Sequence, residues 1–189
     1  LRGQGYSAAR VGIAVSQHVA GPYKFLRSYR PNPGVQPLNL TIDSTLKPIG
    51  EYEWWTPEWT EAVRKGLFTE RDLKTGQMSR DMTLFVDDND KAYHIYSSEE
   101  NLTLHIAELT DDYLMHNGRY IRIDAGGHNE APTLFKKDGK YFMITSGCTG
   151  WAPNAARLLT ADSIMGEWKR LPNPCRGDDA ELTFHSQST

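Results

Sequence analysis

The chain has 189 residues, 39% hydrophobic and 24% charged, with 21 basic and 24 acidic side chains and a formal net charge of −3. This balance is ordinary for a globular domain and excludes a nucleic-acid-binding tail, because no block of like charge is present. No apolar run approaches the roughly 18 residues of a membrane helix, and 11% aromatic residues argue against disorder, since they need a core.

The chain begins at Leu1 with neither a start methionine nor a signal peptide, so we expect an internal piece of a larger domain. The motifs AARVGIAVS at 8–16 and GPYKFL at 21–26 resemble AARLLTADS at 155–163 and GEWKRL at 166–171. These matches predict that the chain opens with the last two strands of a repeating unit.

Residues 30–78 interrupt the repeat and are interpreted as an insertion within the domain. They predict one helix, with Thr56 as N-cap, Pro57 in the first turn and Gly66 as its stop. Three tryptophans of this segment are expected to pack it onto the neighbouring strands, with lining of a binding cleft as the alternative: Trp54, Trp55 and Trp59.

Two complete units follow, of about 45–50 residues each. TLFVDDNDKAYHIYS at 83–97 matches TLFKKDGKYFMITS at 133–146 at an offset of 50, with a one-residue slip. The pattern of each unit predicts four strands. The first contains TLF and is followed by a turn rich in Asp, Asn or Gly, the second is apolar on both faces, and the fourth is short and aromatic. Four antiparallel strands at this period are typical of propeller blades, with a β-sandwich as the alternative.

The predicted fold is therefore all-β, a β-propeller of four-stranded antiparallel blades of which only part is present. Residues 1–189 are expected to form a single incomplete propeller domain, with the insertion at 30–78. By this count the chain holds the end of one blade, two whole blades and the first residues of another.

Three polar residues occupy matching places before the first strand of successive units: Asp81, Glu130 and Gln187. In a propeller the first strand of each blade lines the axis, so we expect these side chains to face one another at one end of the molecule. The alternative is that they cap strand ends through local hydrogen bonds.

Converging carboxylates without a metal-ligand pattern suit cleavage of glycosidic bonds. Glu130 would donate the proton, and the negative charge of Asp81 would raise the pKa of the Glu130 carboxyl and keep it protonated. Arg80 is expected to keep Asp81 charged. The six histidines form no zinc-binding pattern, and no GxSxG motif is present.

Three motifs resemble glycoside hydrolase family 43: SRDMTLFVDD at 79–88, HNEAPTLFKKDGKYFMITSGCTGW at 128–151 and TFHSQST at 183–189. They are most similar to the bacterial branches that include exo-β-1,3-galactanases. The resemblance implies a five-bladed β-propeller and exo-acting hydrolysis with inversion at the anomeric carbon, on galactan or arabinogalactan. α-L-Arabinofuranosidase or β-xylosidase activity is the close alternative, and a propeller that binds glycans without hydrolysing them is the rival from another class.

Carried over by motif, the resemblance makes Glu130 the general acid and Asp81 the residue that tunes its pKa. The usual family base is an aspartate at the start of the first blade, which these residues do not include. In the galactanase-like branch the glutamine of the SQST motif is thought to position the water instead, which implies that role for Gln187.

Four residues near these motifs are candidates for binding the sugar: Trp151 by stacking, and Glu99, Asn101 and Arg157 through hydroxyl groups. Packing between blades is the alternative for Trp151. The expected partner is an oligo- or polysaccharide, with no nucleic acid and no membrane span.

No cofactor is expected to be required, although the resemblance implies that calcium can occupy the propeller axis, and no residues are assigned to it. Because polymers do not cross membranes, we expect a periplasmic or secreted enzyme. Cys148 and Cys175 lack a CxxC spacing and are expected to be free thiols, with a disulfide as the alternative.

Overall fold

The computed structural model describes residues 7–186, and these form ten strands and two α-helices. In chain order the elements are β1 (Val11–Val15), β2 (Lys24–Tyr29), α1 (Pro57–Arg64), α2 (Leu67–Leu73), β3 (Met82–Val86), β4 (Ala92–Ser98), β5 (Thr103–Leu109), β6 (His116–Ile123), β7 (Asn129–Lys137), β8 (Lys140–Gly147), β9 (Arg157–Ala161) and β10 (Lys169–Leu171). Short 3₁₀ turns lie at Ile49–Glu51 and Ala180–His185.

The strands form three antiparallel sheets, each with its strands in sequence order. The first sheet pairs β1 with β2, the middle sheet contains β3 to β6, and the last sheet contains β7 to β10. The prediction of an all-β fold with antiparallel sheets is confirmed. The strand pair β1–β2 at the start of the chain also lies where the sequence match had placed it.

The hairpin between β7 and β8 shows why the turn residues were informative. Lys137 pairs with Lys140 across a two-residue loop. Asp138 and Gly139 occupy that loop with φ of 51° and 75°. Two successive positive φ angles match the right-handed twist of the flanking strands, and Asp-Gly adopts them readily.

The main hydrophobic core lies between the middle and last sheets, whose first strands β3 and β7 are neighbours. Mostly aliphatic side chains from both sheets fill it, and burial of each aliphatic side chain contributes about 1.5–3 kcal/mol. The buried members of this core are Tyr93, Ile95, Leu104, Ile106, Ile121, Ile123, Tyr141, Met143, Leu159 and Ile164.

The segment between the first and middle sheets has two helices where the sequence predicted one. Thr56 caps α1 by accepting a hydrogen bond from the Trp59 backbone N–H at 3.2 Å, as expected. Gly66 does end α1, but its φ of 107° turns the chain so that α2 begins at once. That α2 would follow directly was missed, because a glycine after a helix normally signals a loop.

Both helices pack through a second cluster that reaches the middle sheet at Leu102: Trp59, Ala62, Val63, Leu67, Phe68 and Leu102. Burial of Trp59 and its stacking with Trp54, at 5.3 Å between ring centroids, agree with the expected packing role. The assignment of 30–78 as an insertion stays a prediction.

Among residues 7–186, no helix is long and apolar enough to cross a membrane. Cys148 and Cys175 are free thiols, as expected.

Candidate active site

Asp81 and Glu130 occupy equivalent places in their sheets. The Asp81 carbonyl accepts a hydrogen bond from the Ser97 backbone N–H at 2.9 Å, and Glu130 pairs with Ser146. Ser97 and Ser146 are themselves matched in the sequence repeat. Because β3 and β7 are neighbours, the two carboxyl-bearing strand ends lie side by side, and the structure brings these two predicted site residues together.

A β-bulge follows Glu130. Between Glu130 and Thr133 strand β7 contains one residue more than its partner β8, and Ala131 has a φ of 46°. A bulge leaves the extra residue unpaired in the ladder and re-aims its neighbours. The freed Ala131 N–H donates to Asp81 Oδ2 at 3.1 Å, which ties the two strand ends together.

Glu130 is half-buried, and its carboxyl group contacts the side chains of Asn101 and Cys148. Asn101 Nδ2 donates to Glu130 Oε1 at 2.7 Å, and the Cys148 thiol also hydrogen-bonds this carboxyl. Burial, and then the negative charge of Asp81, raise the pKa of Glu130, while the bonds from Cys148 and Asn101 oppose the rise. The net rise in pKa keeps the Glu130 carboxyl protonated at pH values where an ordinary glutamate is already ionised, as a general acid requires.

Arg80 was expected to keep Asp81 charged, but its guanidinium pairs with Glu100 instead. Its guanidinium Nη2 lies 2.5 Å from Glu100 Oε2, and Glu100 is also bound by Arg71 at 2.8 Å. The Arg80 backbone is committed to the ladder, where its N–H donates to the Ser97 carbonyl. The positive charge of Arg80 instead acts on Glu130, where it opposes the rise in pKa.

The loop before Glu130 is held tightly. The buried Asn129 donates to Asp124 Oδ2 at 2.7 Å and accepts from Thr145 and from Arg157. At Gly127 an added Cβ would lie 2.1 Å from Asp124 Oδ2, so no other residue fits there without displacing that carboxylate. Glu130 is thus presented from a fixed backbone.

Arg157, predicted to bind sugar, is used to hold this loop. Its Nη1 donates to the carbonyls of Gly127 at 2.7 Å and His128 at 2.6 Å, and to Asn129 Oδ1 at 2.8 Å. The residue lies beside the candidate acid but acts on the protein backbone, and a contact with sugar hydroxyls stays a prediction.

Glu99 was predicted to bind sugar, and the structure places it elsewhere. Its side chain is 1% exposed, and the Arg122 guanidinium reaches both carboxylate oxygens at 2.6 Å. Thr69, Thr103 and His105 also bond to this carboxylate. This placement corrects the expectation, because no oxygen of Glu99 is left to face a ligand. Asn101 donates to Glu130, and a contact between Asn101 and sugar hydroxyls stays a prediction.

Trp151 and Gln187 are the two remaining predicted site residues. Trp151 lies on the loop after β8 and is 89% exposed, and its stacking role stays a prediction. Gln187 lies outside the described residues, and its position opposite Glu130 stays a prediction.

Sequence reasoning missed two neighbours of the site. Cys148 follows directly after β8, one position beyond the residues that pair with β7, so the repeat register could have placed it near Glu130. Trp55 is 63% exposed, and its ring lies 5.2 Å from that of His128 in the loop before the acid. No local pattern predicts this contact between residues far apart in sequence.

Within residues 7–186, no group of three or more His, Cys, Asp or Glu side chains is arranged to hold a metal ion. Calcium at the propeller axis stays a prediction.

The chain is similar to one protein family and to several solved structures. The family described as glycosyl hydrolases family 43 matches residues 56–180. A solved GH43 β-1,3-galactosidase with galactodeoxynojirimycin is 67% identical, with a TM-score of 0.93, over 97% of this chain and 54% of that one. An exo-β-1,3-galactanase from Clostridium thermocellum is 31% identical, with a TM-score of 0.65, over 89% of this chain and 30% of that one.

A curated relative, the β-D-galactofuranosidase of Aspergillus niger, is 28% identical over 146 residues, which are 76% of this chain and 39% of the relative. The chain thus spans about half of the first solved structure and less of the curated relative. The family match covers well over half of the chain and contains both Asp81 and Glu130. This chain belongs to glycosyl hydrolase family 43.

Proposed function

We propose that the full-length protein is an inverting, exo-acting glycoside hydrolase that releases galactose from β-1,3-linked galactan or arabinogalactan. The observation that carries the proposal is the placement of Glu130 beside Asp81, with the pKa of Glu130 raised by burial and by that neighbouring charge. The β-1,3-galactosidase and exo-β-1,3-galactanase names of similar structures support the choice of sugar and linkage.

In this mechanism Glu130 protonates the oxygen of the departing sugar, so the glycosidic bond breaks without leaving an alkoxide. Asp81 keeps the proton on Glu130 until substrate arrives, since a second negative charge nearby is unfavourable. A water attacks from the opposite face of the ring and inverts the anomeric carbon. Gln187 would hold that water, at the roughly 6.5–9.5 Å separation of groups in inverting enzymes.

The proposed architecture of the whole domain is a five-bladed β-propeller. Two consecutive four-stranded sheets with adjacent first strands support it, because this is how neighbouring blades meet around an axis. The first sheet would be the end of a further blade, and residues 30–78 would be an insertion that decorates one blade.

Two alternatives differ in substrate or in class. α-L-Arabinofuranosidase or β-xylosidase activity would use the same acid with a differently shaped sugar pocket. The name of the curated relative, a β-D-galactofuranosidase, supports a furanose, which is a five-membered sugar ring, as an alternative substrate. A glycan-binding propeller without hydrolysis is disfavoured by the paired Asp81 and Glu130, which binding alone does not need.

The test is a substrate panel on the full-length protein. We expect release of galactose from β-1,3-galactobiose and from longer β-1,3-galactan, with the α-anomer appearing first in proton NMR because the configuration is inverted. Arabinofuranosides and xylosides are the comparison substrates. Binding without release from any glycoside would favour the non-catalytic module, and first appearance of the β-anomer would overturn the inverting mechanism.

We also propose secretion or export to the periplasm, since a polymeric substrate lies outside the cell. Fractionation of the native host with an antibody to the protein would test this, and a purely cytosolic signal would contradict it.

A further inference from the structure

The turn between β4 and β5 has an unusual backbone. Glu99, Glu100 and Asn101 have φ of 52°, 59° and 66°, three consecutive residues in the left-handed region without a glycine. Such conformations persist only where the surroundings hold them, and they cluster at functional sites. Each of the three side chains is bound by a different partner: Glu99 by Arg122, Glu100 by Arg71 and Arg80, and Asn101 by Glu130.

The buried Glu99 connects this turn to the helices. Arg122, which binds Glu99, also donates to the carbonyls of Val63 at 2.7 Å and Arg64 at 3.1 Å, at the end of α1. Thr69 of α2 donates to Glu99 Oε1 at 2.9 Å. One buried carboxylate therefore fixes the turn to both helices and to β6, which carries Arg122.

The same turn also holds the start of β7. The Asn101 carbonyl accepts from the Asn129 N–H at 2.9 Å, and the Leu102 carbonyl accepts from the His128 N–H at 3.3 Å. The turn thus fixes the backbone before Glu130 as well as one oxygen of its carboxyl group.

We propose that the turn 99–101 is a positioning element for the general acid, supported by the helices, in which the Asn101 amide fixes the direction of the transferable proton. This inference rests on the proposed function. Because Asn101 Nδ2 is a donor that Glu130 Oε1 accepts, this bond favours Oε1 as the carbonyl oxygen of the protonated acid and Oε2 as the oxygen that carries the transferable proton. Asn101 contacts the acid and would act through it, so it is a positioning residue.

The variant Asn101→Gly tests this directly, because glycine keeps the left-handed backbone and removes only the side chain. The matched control is Asp90→Gly, at φ 63° in the turn at the opposite end of β3 and β4. Both are made in the full-length protein and assayed on aryl β-galactosides with poor and with activated leaving groups. If Asn101→Gly fails to fold, Asn101→Asp keeps the shape and the backbone preference and removes the donor.

We expect Asn101→Gly to lower kcat on the poor leaving group by about 10- to 100-fold with KM little changed, since misplacing an acid costs this much. The activated substrate should lose about 3-fold or less, because it needs little protonation. The control should match the wild type. Equal losses on both substrates, or no loss, would overturn the inference.

A pH profile adds a readout that a merely structural role would not move. The groups facing Glu130 are Asp81 and Arg80 from the start of β3, Cys148 after β8, and Asn101 itself. A donated hydrogen bond favours the carboxylate, so its loss should move the alkaline limb of kcat to higher pH. An alkaline limb at the wild-type position would contradict the inference.

The support from the helices is tested by Thr69→Val against Thr160→Val, which removes a single hydrogen bond to the Tyr141 carbonyl in the last sheet. We expect Thr69→Val to shift the leaving-group preference in the same direction as Asn101→Gly, by less. Identical behaviour of the two valine variants would overturn this support. A wild type that cleaves no galactoside would overturn the proposed function, whereas an active wild type with unaltered Asn101→Gly would overturn the inference alone.

Discussion

The middle and last sheets share one strand plan but differ in how they are buried. In the middle sheet β4 is buried along its whole length and β5 along nearly all of it, whereas β8 alternates and β10 is exposed. The helices account for part of this difference, since they cover the middle sheet at Leu102 and Arg122. The repeated sequence pattern therefore determines where the strands lie, whereas the elements that pack around a sheet determine how deeply its side chains are buried.

The difference extends to charge. Each sheet has an arginine bound to a carboxylate through two nitrogens, Arg122 with Glu99 and Arg170 with Asp124. The first arginine is 3% exposed and the second 45%. The middle sheet is a fixed frame built on buried polar contacts, and the last sheet presents the half-buried acid.

The largest expected effect concerns the acid of the last sheet. Glu130→Gln removes the proton donor, so activity on substrates with poor leaving groups should fall by about 10²–10⁴-fold. Steady-state kinetics on matched aryl galactosides would measure this, and the activated substrate should lose much less. Equal losses on both substrates would contradict the role of Glu130 as an acid.

The comparison of the two ion pairs predicts the next effect. Arg122→Met leaves the Glu99 carboxylate buried without its main partner and should lower the free energy of unfolding by about 3–5 kcal/mol. The matched variant Arg170→Met should cost about 1 kcal/mol or less, since Arg170 is 45% exposed and Asp124 keeps its bond from Asn129. Urea unfolding of the full-length variants measures both, and similar losses would show that the two sheets do not differ as described.

The middle sheet should also respond to acid through a buried pair of histidines. His94 Nδ1 lies 3.0 Å from His116 Nε2, and burial lowers the pKa of His94 to about 3 and that of His116 to about 4. The unfolded chain takes up these protons below about pH 6.5. Their contribution to stability is therefore complete above that pH and is lost as the pH falls through the folded values.

His116→Gln should make this loss less steep between pH 6.5 and 4, by up to about 1.4 kcal/mol per pH unit. Urea unfolding at a series of pH values measures the slope. The difference between variant and wild type at pH 8 gives the packing cost alone, because both histidines are then neutral in both states. An unchanged slope would contradict the buried neutral state.

The smallest expected effect concerns Asp81, the counterpart of Glu130 in the middle sheet. Asp81→Asn removes the negative charge that raises the pKa of Glu130, so the alkaline limb of activity should move to lower pH. This is the opposite direction from Asn101→Gly. A pH profile of kcat on a poor leaving group decides it, and an unmoved limb would leave Asp81 only its bond to the Ala131 N–H.

Much of this arrangement was predictable because its signals are local. Hydrophobic runs, the Asp138-Gly139 turn and the repeated TLF motif place the strands and bring Asp81 and Glu130 to matching ends. The start of α2 was missed, because nothing near Gly66 distinguishes a glycine that stops a helix from one that also starts another.

The environment of each site residue was not predictable for a different reason. Glu99 sits in a charged turn that reads as exposed, and its burial comes from Arg122 and Thr69, which lie 23 and 30 residues away. Likewise Asn101 reaches Glu130 only through packing of the middle sheet on the last sheet. Such contacts depend on tertiary structure, which sequence spacing does not encode.

The extra residue of β7 changes how the two repeated units correspond. Alignment on the TLF motif places Asp81 opposite Ala131, whereas the serine that each residue faces on its second strand places Asp81 opposite Glu130. An insertion within a strand ordinarily turns every later side chain to the wrong face, but the bulge absorbs it. If the two units arose by duplication, a single added residue in β7 had two effects. It re-aimed the Glu130 carboxyl group, and it freed the Ala131 N–H to bind the Asp81 carboxylate of the preceding unit.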